Sequence, residues 1–513
     1  MAINILDCPA EILQHILLFT VLNRGVKRGL RLRLVCKVFA DLTKYAVYQS
    51  LLLDHFYAPD VGYLWQIKNH HGAETFWHKY LVQRVLTEKD SAVGRYVDIR
   101  EVAQQICEEL GSGSDLRATV QRLCWLALDG KTTFPGRPRA RSSSPREPYD
   151  DSPKYDPKLS LLSAAAHFSL MDLVDRLLSE GHCPTSCGDL FPPAMQVAAM
   201  DGNANMLERF QQHLPEYEEL LGFHEWRGKA GPCSVIGAAL RGDMDILSLA
   251  LYPPSRTTIQ NKDYAGQVFG EIGTLSPVGR TLRKAQRRTN NPEMFDFIDK
   301  FFKESMSVTD LYTELIWYSR AGVISMVRYL LAKGVPVHNP LGYARPVDPP
   351  LVEACKGGHD EIVDLLLQHG ADPNYGADRM WPHTALPMAA SSGSLTIVRR
   401  LLDHGACVNE LTENLENLPA IWYAIAIEHT QMVELLLARG ANLYAGGDVE
   451  TKTAGWMAES ALEMALELGM DSMADILRGH GIMVTSPMTN SGYAPWKRWP
   501  MLITASNFGE WAE

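Results

Sequence analysis

Residue types that do chemistry are present in this chain, but their spacing defeats most of the chemistry they suggest. Gly130-Lys131-Thr132 has the end of a phosphate-binding loop, yet the glycine that loop needs five residues earlier is Trp125, and the stretch after Thr132 is rich in proline. Cys183 and Cys187 beside His182 offer soft metal ligands, but no second pair stands near them at zinc spacing, so they read as loop or buried thiols. His224-Glu225 lacks the second histidine of a zinc protease, and there is no Gly-x-Ser-x-Gly nucleophile elbow. Arg280 to Arg288, RTLRKAQRR, is a basic run suited to nucleic acid or an acidic partner, and equally to a solvated helix face. In RPRARSSSPRE a phosphate on Ser144 would find Arg137, Arg139, Arg141 and Arg146 close by, although a plain solvated linker explains the same composition. No catalytic constellation emerges, and neither an enzyme activity nor a cofactor or metal is expected.

Bulk composition narrows the classes further. With 513 residues, 46% hydrophobic and 21% charged, and a formal net charge of -11, the chain reads as a mildly acidic globular protein with room for several domains. Wholesale nucleic-acid binding is not expected at that charge. The start, MAINILDCPAEIL, lacks the basic region of a secretory signal, and no apolar run reaches the roughly 18 to 20 residues of a membrane span. Nine irregularly spaced cysteines suit a reducing compartment. The expected location is therefore intracellular, cytoplasmic or nuclear.

What organises the chain is repetition. EIVDLLLQHGADPN (361–374) returns thirty-five residues later as TIVRRLLDHGACVN (396–409). Aligning the chain on itself extends the pattern: a small-residue pair, then an anchor that is usually Gly, a Val or Leu five residues on, and a second Gly twelve on. Anchors fall at 169, 202, 242, 322, 358, 393, 428 and 469, with a degenerate ninth copy around Ala285, Asn290 and Phe295. Each offset has a physical reason. A helix ending in small residues admits a close neighbour, a left-handed residue then reverses the chain, and a second helix presents Ile362, Leu365 and Leu366 to one face. No unit of this size buries its apolar face alone, so the copies must stack. TALPMAASSGSLTIVRRLLDHGACVN, opened by Thr384, resembles the ankyrin repeat, and the resemblance covers about residues 160 to 482. The histidine of the family's Thr-Pro-Leu-His opening is absent, with Pro387 in its place in this copy.

The N-terminus carries a second signal. Pro9 sits where a first helical turn begins, with Asp7 or Cys8 as candidate caps, and Ile12, Ile16 and Phe19 make an apolar stripe. LRLRLVCKVFADLT places Leu32, Val35, Cys36 and Phe39 on one face, and Asn23 to Gly29 is expected as the intervening loop. By composition this is a helical hairpin. The order Pro-x-Glu-Ile, loop, Leu-x-x-Val-Cys-Lys-x-Phe resembles the F-box, although Cys8 stands where that family usually has Leu and its closing Trp is missing.

The expected organisation is thus all-α: an F-box-like domain (1–55), a helical connector (56–130), a linker with six prolines among Arg, Ser and Asp (131–158), an ankyrin solenoid of helix-turn-helix repeats with short hairpin loops (159–482), and a tail (483–513). The F-box resemblance implies docking on the Skp adaptor of a cullin-based ubiquitin ligase through Pro9, Ile12, Ile16, Leu32, Val35 and Phe39. The ankyrin resemblance implies a target protein held at loop tips and first-helix ends: Arg345, Asp348 and Lys356 in one repeat, and Met380, Trp381, His383, Ser391 and Ser392 in the next. The alternative is an ankyrin interaction scaffold with no ubiquitin role.

Overall fold

The computed structural model describes residues 9–31, 36–50, 73–91, 95–111, 113–129, 156–188, 190–213, 233–251, 273–274, 277–339, 348–375, 383–409, 419–442 and 470–481, together with Leu462, Ala465 and Leu466. Nearly all of the expected linker, the expected tail and the expected anchor Gly469 lie outside these residues. The regular elements among the described residues are all α-helices. Two compact units divide the chain: Trp77–Ser307, and Val308–Glu513 taken with Met1–Phe76.

The N-terminal hairpin is α1 (Ala10–Arg31) against α2 (Lys37–Gln49). Pro9 precedes the first turn and its carbonyl accepts from the amides of Ile12 and Leu13. The loop expected at Asn23 to Gly29 is a correction: α1 stays helical to Arg31. Gly25 and Gly29 each cost a helix about 1 kcal/mol relative to alanine, but leucines, arginines and a lysine surround them and no proline interrupts the run.

Helix α3 (Ala73–Thr87) runs from the boundary into the Trp77–Ser307 unit, where α4 (Tyr96–Leu110) and α5 (Leu116–Asp129) follow it. From this expected connector, Leu81, Ile99, Val120 and Leu123 join one continuous core with Leu161 and Leu173 of the first repeat, and α4 packs on the helix that opens that repeat. Four helix pairs come next: α6 (Pro157–His167) with α7 (Met171–Ser179), α8 (Ala194–Asp201) with α9 (Ala204–His213), α10 (Cys233–Arg241) with α11 (Met244–Leu251), and α12 (Pro277–Gln286) with α13 (Pro292–Asp299). The last is the degenerate copy. Ala285 and Phe295 are buried in it as its pattern demands, while Asn290 is not left-handed and Asn291 caps α13 through its side chain.

The second repeat array pairs α14 (Val308–Ala321) with α15 (Ile324–Ala332), α16 (Pro350–Gly357) with α17 (Asp360–Gln368), α18 (Ala385–Ser392) with α19 (Leu395–Asp403) and α20 (Ala420–Ala426) with α21 (Thr430–Ala438), and α22 (Asp471–Gly479) comes after them. First helices pack on first helices along each array, and second helices pack more sparsely on second helices. Burial follows from that order. Every residue of α20 is buried because α18 flanks it and α21 covers it, whereas α17 buries only Ile362, Val363, Leu366 and Leu367. Leu365, expected on that face, is half-exposed.

The anchors show what the repeat imposes on its backbone. At Gly358 and Gly393 the chain takes φ of 68° and 82°, the left-handed region that frees glycine to end a helix. Among the described residues the non-glycine positions with positive φ are Ser169 and Glu428, both at 58° and both at anchors. The same reversal bond forms at a glycine and at a non-glycine anchor, from His359 N to Ala354 O at 3.1 Å and from His429 N to Ala424 O at 2.9 Å. Packing of the two helices therefore holds residues there that would avoid this region alone.

The asparagine closing each of the two matching stretches ties repeats together. Asn374 donates from Nδ2 to the Gly405 carbonyl at 3.0 Å and accepts the Cys407 amide at 2.7 Å. Asn409 repeats this one unit on, with the Gly440 carbonyl at 2.9 Å and the Asn442 amide at 2.7 Å. Asn409→Ala is expected to destabilise the chain by about 1–2 kcal/mol, the worth of two hydrogen bonds near the surface. Urea denaturation of the two proteins measures it, and an unchanged midpoint would contradict the tie.

Candidate interaction surfaces

The hairpin carries two apolar lines on one helix. Leu13, Leu17 and Val21 are 3%, 1% and 0% exposed, while Ile12, Ile16 and Phe19 are 50%, 39% and 61% exposed. Both lines follow helical spacing and sit about 100° apart, so α1 is apolar around more than half its circumference. The first line meets Phe39, Ala46 and Val47, which are also buried. Phe39, expected on the docking surface, is thus 6% exposed and belongs to the hairpin's core. Pro9 is exposed, and Leu32 and Val35 lie outside the described residues. Phe19, Leu22 and Val38, absent from the expected docking set, are large apolar side chains left in water. Spacing revealed the stripe but not which line faced outward.

The expected target site looks different in three dimensions. Asp348 precedes α16, Glu353 and Lys356 lie on α16, Arg320 ends α14, and His383 precedes α18, so three consecutive repeats bring one charged group each, or more, to the same place. Lys356 Nζ bridges Asp348 Oδ2 and, at 3.4 Å, Glu353 Oε1. Arg320 Nε donates to Glu353 Oε2. His383 Nδ1 lies 3.1 Å and 3.2 Å from the two oxygens of Asp348. Glu353 and Asp348 are buried, and each of their four carboxylate oxygens meets a cation or an imidazole.

Electrostatics follow from this geometry. Burial by itself would raise the Asp348 carboxyl, but the His383 hydrogen bond and the Lys356 charge outweigh it and hold the group below the usual carboxylate range. The hydrogen bond to Glu353 raises Arg320 against the desolvation that would lower it. The cluster works as a clasp between repeats. Asp348 and Lys356, expected among the target contacts, are members of this clasp. Ser392 is buried with its hydroxyl on the Ala389 carbonyl, and half-exposed Ser391 donates to that of Met388. His383 stays partly exposed, while Arg345, Met380 and Trp381 fall outside the described residues.

The sulfur candidates stay apart from any such clasp. Cys183 and Cys187 are exposed and not joined in a disulfide, the Cys187 thiol donates to the Gly188 carbonyl at 3.3 Å, and His182 faces Asp156 and Glu180 at 3.3 Å and 3.5 Å. Among the described residues no group of three or more His, Cys, Asp or Glu is placed to hold a metal ion, and no helix is long and apolar enough to cross a membrane.

Short helix pairs, left-handed anchors, first helices stacked on first helices and asparagine ties at the repeat interval together define an all-α ankyrin-repeat solenoid, a class built for protein–protein interaction. The family model described as "Ankyrin repeats (3 copies)" matches residues 315–412 and again 351–447. Among curated proteins, the chain is 35% identical over 202 residues to "Ankyrin repeat protein nuc-2" of Neurospora crassa, covering 39% of this chain and 17% of that one. It is 31% identical over 134 residues to "Ankyrin repeat and KH domain-containing protein mask-1" of Caenorhabditis elegans, covering 26% and 5%. A "Putative ankyrin repeat-containing protein" of Treponema pallidum is 36% identical over 105 residues, covering 20% and 33%. These matches span a third or less of each relative's length.

Proposed function

We propose that this chain is a substrate-recognition adaptor of a Skp-cullin-F-box type ubiquitin ligase, in which the α1–α2 hairpin docks on the Skp adaptor and the ankyrin repeats hold a target protein. Its mechanism is proximity: the target is tethered near transfer chemistry performed by other subunits, which raises its local concentration there. The observation that carries the reading is the exposed line Ile12, Ile16 and Phe19 on a hairpin whose core is already filled by Leu13, Leu17, Val21 and Phe39. A large apolar side chain left in water gives up roughly 1.5–3 kcal/mol that burial against a partner would recover. On the repeats, the reading takes Arg345, Met380, Trp381 and the partly exposed His383 as target contacts, His383 being held by the clasp through Asp348.

Ile12→Asp is expected to weaken Skp binding by roughly 2 kcal/mol or more, the loss typical of a central apolar anchor, and to leave the repeats folded. Co-purification of Skp and cullin with parent and variant measures it. The match of residues 315–447 to ankyrin repeats accords equally with an interaction scaffold that has no ubiquitin role. That second reading prevails if the parent brings down no Skp, or if the variant brings down as much as the parent.

A further inference from the structure

The fold sorts the cations of the basic run of α12 by burial and pairing. Leu282, Ala285, Gln286 and Thr289 turn into the core. Arg283 is consumed there: its Nη1 reaches Asp299 at 2.6 Å and Gln286 at 2.7 Å, and its guanidinium lies 3.7 Å over the Phe302 ring. Arg280, Lys284 and Arg287 are exposed. Arg288 is half-buried, and desolvation draws it below the ordinary arginine value with nothing acting in the opposite sense. Among the described residues no hydrogen bond or ion pair engages the side chains of Arg280, Lys284 or Arg288. The amides of Arg287 and Arg288 bond back to the carbonyls of Arg283 and Ala285, at 3.0 Å and 2.9 Å, so the helical winding continues through the end of the run. Arg280, Lys284 and Arg288 therefore succeed one another at four-residue intervals along one face, about 6 Å apart at 1.5 Å rise per residue.

We infer that this face of α12 and of the turn that follows it is a docking site for an acidic, extended peptide segment of a partner protein. The charge is complementary, and so is the spacing: alternate side chains of an extended strand lie about 6.5–7 Å apart, close to the interval between successive cations here. A carboxylate at the Arg288 end supplies a counter-charge that no described residue gives this desolvated guanidinium, in the bidentate geometry arginine favours. A nucleic-acid backbone recruits cations over a wide area rather than along one helix face. The inference deepens the target-holding role proposed for the repeats and does not depend on the hairpin or on any ligase.

The test uses the full-length chain and a fluorescein-labelled peptide of alternating Asp and Ser, about twelve residues long, read by anisotropy at low and at raised salt. The double variant Arg280→Glu/Lys284→Glu is expected to bind it at least tenfold more weakly with an unchanged melting temperature. Arg288→Gln is expected to bind several-fold more weakly, and Arg399→Glu, an exposed charge reversal on α19, as tightly as the parent. Parent-like binding by the folded double variant, or an equal loss in Arg399→Glu, would overturn the site. A single-stranded oligonucleotide of matching charge that bound more tightly than the peptide would overturn the assignment of its partner. The Skp pull-down does not depend on α12, so failure of one experiment leaves the other readable.

Discussion

Replacing Asp348 with asparagine is expected to destabilise the protein by about 3 kcal/mol at neutral pH, because it leaves a Lys356 ammonium that is only 13% exposed with the more distant Glu353 carboxylate as its one remaining counter-charge among the described residues. Cost on this scale comes from the charge left behind more than from the bond lost. The pH dependence has a definite sign. Asp348 is held below the usual carboxylate value in the folded protein, so its contribution is present above the unfolded value of about 3.9 and is lost as pH falls through the folded one. Urea denaturation of parent and variant should therefore differ most at neutral pH, and the gap should close in acid below about pH 4. A gap that widened on acidification would contradict the clasp. So would a variant as stable as the parent at pH 7.

Gly237→Ala should be nearly as damaging, by about 3 kcal/mol, although alanine is the better helix former by about 1 kcal/mol. At this position α10 crosses α8 so closely that a Cβ would lie 2.3 Å from the Gln196 carbonyl oxygen and 2.8 Å from the Ala199 Cβ. One obstacle is backbone and the other a methyl group fixed to it, so neither has a rotamer to yield. Gly479 is the internal control. It too is helical, in α22, but nothing lies within 4 Å of the Cβ it lacks, and alanine there should be neutral or stabilising by up to about 1 kcal/mol. Thermal melts of the two variants should move in opposite directions or differ by several degrees. Equal shifts would mean that the α8–α10 contact does not set the stability of its unit.

The repeat was legible in the chain because its requirements are local. A small-residue pair, a reversal and an amphipathic second helix recur at a fixed interval, and each is dictated by neighbours a few residues away. So consistent is that frame that Ser169 and Glu428 occupy anchor positions and take the left-handed backbone without being glycine. Where several local answers are admissible, the sequence alone does not choose among them. Asn23 to Gly29 carries turn residues within a run of helix formers, and the helix prevails. Helix α1 is apolar on two adjacent lines, and either could have faced the core until α2 placed Phe39, Ala46 and Val47 against Leu13, Leu17 and Val21. Asp348 and Lys356 look like surface charges within their own repeat and become a clasp only when Arg320 and His383 arrive from the repeats on either side. The same holds for the basic run, where Asp299 on α13 and Phe302 beyond it single out Arg283 and leave Arg280, Lys284 and Arg288 without a side-chain partner among the described residues. Which charge meets which depends on the register of one repeat against the next. Register is set by the whole packed interface, and no spacing within a single repeat encodes it.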